Sequence, residues 1–205
     1  GFRPGMSLWF GDEESGKTAQ GLMWGKQWQD KYKEKAWVFL FDAEGRMTKL
    51  KLNASGIDQS RFSWIRSNLI EDTFDTIEKL VLNNKKGYRY LFILDSLDAL
   101  IRKEDVVKSF GDAPKVAGGA AIQSMAGKRL SNPIHGCGHH LYQISQIRTQ
   151  NLMGGSKEAP KASGGKAPKF YADIMGRMYK GWSDTYIKDG SGENAKTIGN
   201  KTKIS

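Results

Sequence analysis

The fold of this chain is decided by the stretch Gly11-Asp12-Glu13-Glu14-Ser15-Gly16-Lys17-Thr18. An apolar run at 6–10, typical of a buried strand, precedes it, and a helix-like run at 19–28 follows it. A strand, the pattern G-x-x-x-x-G-K-[ST] and a helix together form the context of a phosphate-binding loop. We therefore predict that the chain binds a nucleoside triphosphate. The alternative, a glycine-rich turn that matches by chance, leaves the flanking strand and helix unexplained.

Each residue type in this loop has a chemical reason. Gly11 and Gly16 allow a tight turn in which successive N–H groups point at phosphate oxygens, and the following helix directs its positive end at the same anion. Lys17 supplies a point charge for the terminal phosphates, and the Thr18 hydroxyl is a ligand for Mg²⁺. The two glutamates of the loop are expected to point away from the anion. The predicted nucleotide-binding residues are Gly11, Asp12, Glu13, Glu14, Ser15, Gly16, Lys17, Thr18 and Ala19.

The composition is that of an ordinary folded domain. Of the 205 residues, 39% are hydrophobic and 26% are charged, which suits one α/β domain with a buried core. No run approaches the roughly 20 apolar residues that span a bilayer, so we expect a cytoplasmic protein with no membrane partner. Cys137 is the single cysteine, so an internal disulfide is excluded. The net charge of +10 favours a polyanionic partner, although a solvated basic surface would carry the same charge.

Two apolar runs of strand length end in carboxylates. The run 36–41 leads into Asp42 and Glu44, and the run 88–94 leads into Asp95. Open α/β sheets bind ligands at the carboxyl ends of their strands, where these acids are expected. Together with the phosphate-binding loop, Asp95 is predicted to hold the hydration shell of Mg²⁺. The alternative is an acid that caps the next turn.

Strand patterns alternate with helical patterns along the chain. Helices are predicted at 71–82 and 116–130, and the second is expected to end at Asn132-Pro133, because the residue before a proline avoids helical geometry. A further strand is predicted at 141–145, and a hairpin turn at 189–192. The alternation predicts a mostly parallel sheet flanked by helices, with a hairpin near the carboxyl end.

A basic segment at 149–169 follows the last of these central strands. It is rich in glycine, lysine, serine and alanine, and we predict that about twenty of its residues lack regular structure. Its cations, against one glutamate, are Lys157, Lys161, Lys166 and Lys169. A mobile basic loop of small residues can follow the phosphate backbone of DNA. The alternative is a disordered surface insertion with no ligand.

The order of these motifs resembles the ATPase core of the RecA family of strand-exchange recombinases. The motifs are G-D-E-E-S-G-K-T at 11–18, F-D-A-E at 41–44, I-L-D-S at 93–96, Q-I-R at 146–148 and G-G-K-A-P-K-F-Y-A at 164–172. The resemblance extends from about residue 5 to residue 204. It implies a RecA-like P-loop ATPase fold and a single domain over 1–205, without the family's amino-terminal polymerisation helix and carboxyl-terminal domain. A divergent, phage-borne recombinase or an excised core would both fit.

The resemblance also implies a role for each residue around the phosphates. Lys17 and Thr18 would bind phosphate and Mg²⁺, and Asp95 would support the metal. Glu44 would polarise the attacking water as the general base. Gln146 would sense the γ-phosphate of ATP and couple it to the following loop. The implied catalytic residues are therefore Glu44, Lys17 and Gln146, and the cofactors are ATP and Mg²⁺.

For DNA, the resemblance implies two loops. The segment from Arg148 to Lys169 matches the second DNA-binding loop of the family, and the region 106–116 matches the first. The implied DNA-binding residues are Arg148, Lys157, Lys161, Lys166 and Lys169. Lys201 and Lys203 match a pair that reaches the nucleotide of a neighbouring subunit. The implied protein is a DNA-dependent ATPase of a bacterium or a phage-infected cell, which forms homo-oligomeric filaments on single-stranded DNA and pairs them with double-stranded DNA.

Two other classes of protein stay open at this point. A ring helicase or clock-type ATPase of the same fold would share Lys17, Glu44 and Asp95, and a regulatory nucleotide-binding protein would have no DNA partner. Two positions also depart from the family pattern: Asp12 replaces a proline of the loop, and Lys51 stands where a tyrosine stacks on adenine. A cluster of histidines and a cysteine matches no standard zinc spacing and is interpreted as incidental; its members are His135, Cys137, His139 and His140.

Overall fold

A computed structural model of the chain describes residues 3–109, 116–148, 161–162, 166–180, 186–189, 196–200 and 202–204. The strands are β1 (Gly5–Gly11), β2 (Ala36–Asp42), β3 (Phe62–Ile65), β4 (Arg89–Asp95), β5 (His140–Arg148), β6 (Lys161–Ala162), β7 (Ile174–Lys180), β8 (Tyr186–Asp189), β9 (Lys196–Asn200) and β10 (Thr202–Ile204). The helices are α1 (Lys17–Tyr32), α2 (Lys49–Ala54), α3 (Ile70–Leu82), α4 (Lys103–Val106), α5 (Val116–Gly136) and α6 (Ala167–Tyr171).

The main sheet has the strand order β10-β7-β1-β5-β4-β2-β3. All neighbouring pairs from β7 to β3 are parallel, whereas β10 runs antiparallel to β7. β8 and β9 pair with each other as a separate antiparallel ribbon, as the predicted hairpin requires. Residues 190–192 of the predicted turn lie outside the described residues. The predicted fold class, a mostly parallel sheet with flanking helices, is therefore confirmed.

The central strands are apolar throughout because helices cover both faces of the sheet. Alternate residues of β2 point to opposite sides: Phe39 and Phe41 pack in the cluster that includes α3 and α5, and Val38 and Leu40 pack against α1. Each such side chain, when fully buried, contributes about 1.5–3 kcal/mol to folding. The phosphate-binding loop is thus anchored to a rigid sheet. Among the described residues, none of the helices combines the length and the apolar character needed to cross a membrane.

The end predicted for the helix at 116–130, which is α5 in the structure, is wrong. Helix α5 passes through Pro133 and ends at Gly136. A proline in the last turn loses one backbone hydrogen bond, but the side chain of Ile134 is completely buried, which favours another turn. The helix is closed by Gly138 at φ 71°, with the N–H of His139 donating to the carbonyl of Ile134 at 2.8 Å. This is a Schellman cap, which requires a glycine after the helix. In the sequence, Gly138 therefore indicated the end of α5 better than Pro133 did.

The prediction of a basic segment without regular structure is also wrong in part. Lys161 and Ala162 form β6, which pairs antiparallel with Arg148 and Ile147 at the end of β5. Ala167 then begins α6. A two-residue strand leaves no pattern in the sequence, because its pairing depends on the neighbouring strand rather than on its own composition.

Candidate active site

The residues predicted around the nucleotide meet at the carboxyl edge of the sheet. Gly11, the last residue of β1, lies in register with Gln146 of β5. Asp42, the last residue of β2, lies in register with Asp95 of β4. Parallel strands end at the same edge, so the loops that follow β1, β2, β4 and β5 surround one cleft.

The loop between β1 and α1 needs its glycines. A Cβ on Gly11 would lie 2.2 Å from the carbonyl oxygen of Met178, so only glycine allows β1 to end beside β7. Gly16 has φ 90°, the left-handed region, and it immediately precedes the first turn of α1. The four backbone N–H groups at a helix start have no partner within the helix. They are therefore directed at the cleft, together with the positive end of the helix dipole.

The Lys17 side chain is folded back onto the loop. Its ammonium donates to the carbonyls of Gly11 at 2.9 Å and Asp12 at 2.5 Å, and to the Ser15 hydroxyl at 3.3 Å. Burial lowers the pKa of Lys17 below its usual value, and the negative charges of Asp95 and other nearby acids oppose this shift. The Lys17 ammonium is partly removed from water and is bound only by neutral oxygen atoms. An anionic ligand would bind it more strongly, because a hydrogen bond between two charged groups is stronger than one to a neutral acceptor.

Thr18 and Asp95 form a pair of oxygen ligands. The Thr18 hydroxyl donates to Oδ2 of Asp95 at 2.6 Å. The pKa of Asp95 is raised to about 6, mainly by burial and further by the charges of Glu44 and Asp42, while the Thr18 hydrogen bond and Lys17 oppose the shift. The nearby positive charge does not offset the burial of the Asp95 carboxylate, and the Thr18 hydroxyl lies beside it. Carboxylate and hydroxyl oxygens of this kind fit a hard cation such as Mg²⁺. The residues therefore fit the predicted metal.

The carboxylate of Glu44 is held by three side chains. Its Oε1 accepts hydrogen bonds from the Ser96 hydroxyl at 2.6 Å and from Nε2 of Gln146 at 3.3 Å. Its Oε2 lies 3.5 Å from Nε of Arg46. The backbone N–H of Gln146 donates to Asp98 at 2.7 Å, which fixes the residue at the end of the cleft. The predicted general base and the predicted γ-phosphate sensor are thus in direct contact.

Asp42, unlike Glu44, does not line the cleft. Its carboxylate accepts hydrogen bonds from the backbone N–H groups of Arg46 at 3.1 Å and Met47 at 3.3 Å, and from the Trp64 indole at 3.1 Å. The side chain is 3% exposed. Asp42 therefore shapes the loop that carries Glu44, and it does so by satisfying backbone donors that would otherwise be buried without partners.

The cleft has a volume of about 510 Å³, within the usual range for a small-molecule site. Its lining includes Glu44, Asp95, Gln146 and the predicted nucleotide-binding residues 13–19, but not Gly11 or Asp12. Next to these lies a wall formed by Leu22, Met23, Arg46, Met47, Lys51, Ala54 and Ser55. None of the described residues that line the cleft is aromatic. A nucleotide base would therefore meet aliphatic side chains and the Lys51 amine rather than a stacked ring.

Sequence reasoning missed two of the side chains that contact Glu44. Arg46 stands in an irregular loop with no motif of its own, and its ion pair joins it to Glu13, distant in sequence. Ser96 belongs to the motif at 93–96, but no contact with Glu44 was predicted for it. The sequence did offer one indication that Ser96 lies near Glu44. Ser96 directly follows Asp95 at the end of its strand, and Asp42 ends another strand just before Glu44. Glu13 lines the cleft mouth, where its carboxylate pairs with Arg46.

The predicted DNA-binding and trans-acting residues are described only in part. Lys166 is exposed immediately before α6, and Lys169 is half-buried within it. The backbones of Arg148 and Lys161 pair at the end of β5, and the backbone of Lys203 lies in β10. Three sets of residues lie outside the described part of the chain: Lys157, Lys201 and the stretch 110–115 of the first predicted DNA-binding region.

Two of the clustered histidines have internal partners. His139 accepts a hydrogen bond from the backbone N–H of Tyr90 at 3.0 Å through Nδ1, and His140 lies 2.9 Å from the Ser7 hydroxyl through Nε2. His135 pairs instead with Asp173 at 2.9 Å. Within the described residues, no group of three or more potential ligands is close enough to hold a metal ion.

The fold and the loop geometry define a P-loop protein of the α/β class. A family model of the RecA N-terminal domain matches residues 5–205, and the chain therefore belongs to the RecA family. It is similar to Protein RecA of Lactococcus lactis subsp. cremoris strain MG1363, with 30% identity over 196 residues, covering 95% of this chain and 48% of that protein. It is also similar to Protein RecA of Campylobacter hominis, with 28% identity over 195 residues, covering 95% of this chain and 52% of that protein. The chain spans about half the length of the curated relatives that it matches.

Proposed function

We propose that the chain is the ATP-hydrolysing core of a recombinase that acts on DNA. The observation that carries this proposal is the hydrogen bond from Gln146 to Glu44, together with the course of the strand that contains Gln146. That strand continues to Arg148, where it pairs with the basic segment at Lys161. One continuous element therefore connects the phosphate end of the cleft with the candidate DNA-binding segment.

The proposed hydrolysis uses few groups. The loop N–H groups and Lys17 bind the β- and γ-phosphates of ATP, and Thr18 and Asp95 hold Mg²⁺, which would neutralise charge on the phosphate oxygens. Glu44 orients a water for attack in line with the leaving oxygen and takes its proton. Lys17 stabilises the charge that develops on the transferred phosphoryl group. Gln146 releases Glu44 to contact the γ-phosphate.

Coupling to DNA follows from the same contact. When Gln146 turns towards the γ-phosphate, the end of β5 moves with it, and the paired strand β6 and the lysines around it are repositioned. Single-stranded DNA, and double-stranded DNA during pairing, would bind there through phosphates. We further propose that Lys201 and Lys203 contact the nucleotide of a neighbouring copy in a filament, and that the protein works in the cytoplasm. The RecA names of the relatives support this function over other uses of the fold.

Electron microscopy with ATP and single-stranded DNA, combined with measurement of ATP hydrolysis with and without DNA, tests this proposal. We expect DNA to stimulate hydrolysis and helical filaments to form. Closed rings would instead support a helicase, and monomers indifferent to DNA would support a nucleotide-binding regulator. The control is Lys17→Ala, which removes the buried cation at the phosphate loop and should abolish nucleotide binding and DNA stimulation together.

A further inference from the structure

Arg46 joins two loops across the mouth of the cleft. It belongs to the loop after β2, two residues beyond Glu44, and its guanidinium forms an ion pair with Glu13 of the phosphate-binding loop. The same guanidinium places Nε 3.5 Å from Oε2 of Glu44. Arg46 therefore touches both loops and lines the cleft together with Lys17 and Thr18.

The contact with Glu13 is easily exchanged. The side chains of Arg46 and Glu13 are both 61% exposed. Exposed ion pairs contribute about 0–1 kcal/mol, because water screens the charges and both side chains lose freedom. A planar guanidinium makes stronger, paired hydrogen bonds to a phosphate that it can approach in the same plane. A triphosphate in the cleft would thus compete successfully for Arg46.

We propose that Arg46 is a cation for the terminal phosphate of the bound nucleotide, supplied by the same chain, and that it exchanges Glu13 and Glu44 for that phosphate. The inference rests on the proposed nucleotide site and adds a residue to it. Arg46 then acts beside Lys17: one cation approaches from the phosphate-binding loop and the other from the loop after β2. Two cations on opposite sides of a transferred phosphoryl group stabilise its developing charge better than one.

The exchange also changes the environment of Glu44. In the structure this carboxylate is held by Ser96, Gln146 and Arg46. Two donors occupy Oε1 and Arg46 faces Oε2, so neither oxygen is free to orient a water. Departure of Arg46 to the phosphate frees Oε2 for a water. The same movement thus binds the terminal phosphate and prepares the general base, so that the site is activated by a triphosphate but not by a diphosphate.

The test compares Arg46→Gln with Glu13→Gln in the full chain. The measurements are the affinities for ADP and for a non-hydrolysable ATP analogue, followed by steady-state ATP hydrolysis. Arg46→Gln should weaken binding of the analogue by about tenfold or more while ADP binding stays within about twofold, because a charge-assisted hydrogen bond to the terminal phosphate is lost. Its kcat should fall as well. Glu13→Gln removes the competing partner and should tighten binding of the analogue.

The opposite effects of the two variants separate this role from a merely structural one. If Arg46 and Glu13 only brace the two loops, both variants will shift analogue binding in the same direction, and the proposal is overturned. Equal loss of ADP and analogue binding in Arg46→Gln would also overturn it. Arg46→Lys, which keeps the charge, should recover part of the analogue affinity, and thermal unfolding of each variant checks that it folds.

A wild-type protein that binds neither nucleotide would overturn the proposed function together with this inference. If the wild type binds normally and Arg46→Gln binds equally well, the inference alone is overturned.

Discussion

At the scale of single residues, Glu44 and Asp42 differ clearly in what their carboxylates contact. Asp42, on the same loop, satisfies backbone donors, whereas Glu44 faces the cleft and meets Gln146. The two acids stand two residues apart, and an extended chain turns such residues to the same side. The difference arises because the chain leaves β2 at Asp42 and turns, so that the N–H groups of Ala43 and Glu44 both approach the carbonyl of Asp95.

The substitution Glu44→Gln tests the proposed general base. Glutamine can keep the hydrogen bond from Ser96, so the site should fold and bind nucleotide as before. Loss of a general base typically lowers turnover by about 10²–10⁴-fold, and we expect a fall in kcat of that order with little change in nucleotide affinity. Steady-state hydrolysis and equilibrium binding measure the two effects separately. Ser96→Ala is the matched control, with a smaller expected loss, and unchanged hydrolysis in Glu44→Gln would remove Glu44 from the catalytic role.

At the scale of secondary-structure elements, α6 packs on α5, and the two helices approach closely at Gly127. A Cβ on Gly127 of α5 would lie 2.2 Å from Cδ2 of Tyr171 in α6. α6 begins at the carboxyl end of the basic segment, and α5 begins at the end of the first predicted DNA-binding region. The packing of Tyr171 on Gly127 therefore connects the two segments predicted to bind DNA through the body of the domain.

The substitution Gly127→Ala tests how tightly these two helices are packed. The added methyl group overlaps the Tyr171 ring, and overpacking of this kind costs about 1–3 kcal/mol. Gly119→Ala is the matched control in the same helix, because none of the described atoms lies within 4 Å of its added Cβ. There alanine should stabilise the helix by about 0.5–1 kcal/mol. Urea unfolding of both variants measures the difference, and equal effects would show that the two helices do not pack as described.

At the scale of the whole molecule, the features that could be predicted from the sequence are those with local signals. The loop around Lys17 has a fixed spacing, and acids such as Asp95 follow long apolar runs, so the sheet edge and most of the cleft could be inferred. Arg46 could not, because an exposed arginine in a loop has no periodicity and its partner Glu13 is distant in sequence. The end of α5 was misjudged because the cost of Pro133 in the last turn is local, whereas the burial of Ile134 that offsets it is tertiary.

Two buried histidines make the stability of the domain sensitive to acid. Burial lowers the pKa of His139 and His140 to about 4. His140 lies 2.9 Å from the carbonyl of Arg3, which can only accept, so Nδ1 carries the proton and Nε2 accepts from Ser7. In the unfolded chain each ring titrates near 6.5. Between about pH 6.5 and 4 the unfolded state therefore binds more protons, so this contribution is complete above pH 6.5 and is lost as the pH falls towards 4.

The free energy of unfolding of His140→Gln, compared with the wild type, isolates this contribution. Between pH 7.5 and pH 5 the wild type should lose about 2 kcal/mol more than the variant, since glutamine does not titrate. The raised pKa of Asp95 acts in the opposite sense but is common to both proteins. An NMR titration of the His140 ring in the wild type provides a measurement that needs no variant. A ring that titrates near 6.5 would contradict the prediction.

If the basic segment is the DNA site, its own lysines, and not the net charge of +10, should determine the salt dependence of binding. Each lysine contact to single-stranded DNA contributes about 0.7 to the slope of log affinity against log salt concentration. Replacing Lys157, Lys161 and Lys166 by glutamine should therefore weaken binding and reduce that slope by about 2. The control replaces Lys31, Lys85 and Lys86, which are exposed around the opposite edge of the sheet. It removes the same charge, so an equal reduction of the slope in the control would mean that DNA senses only the net charge of the protein.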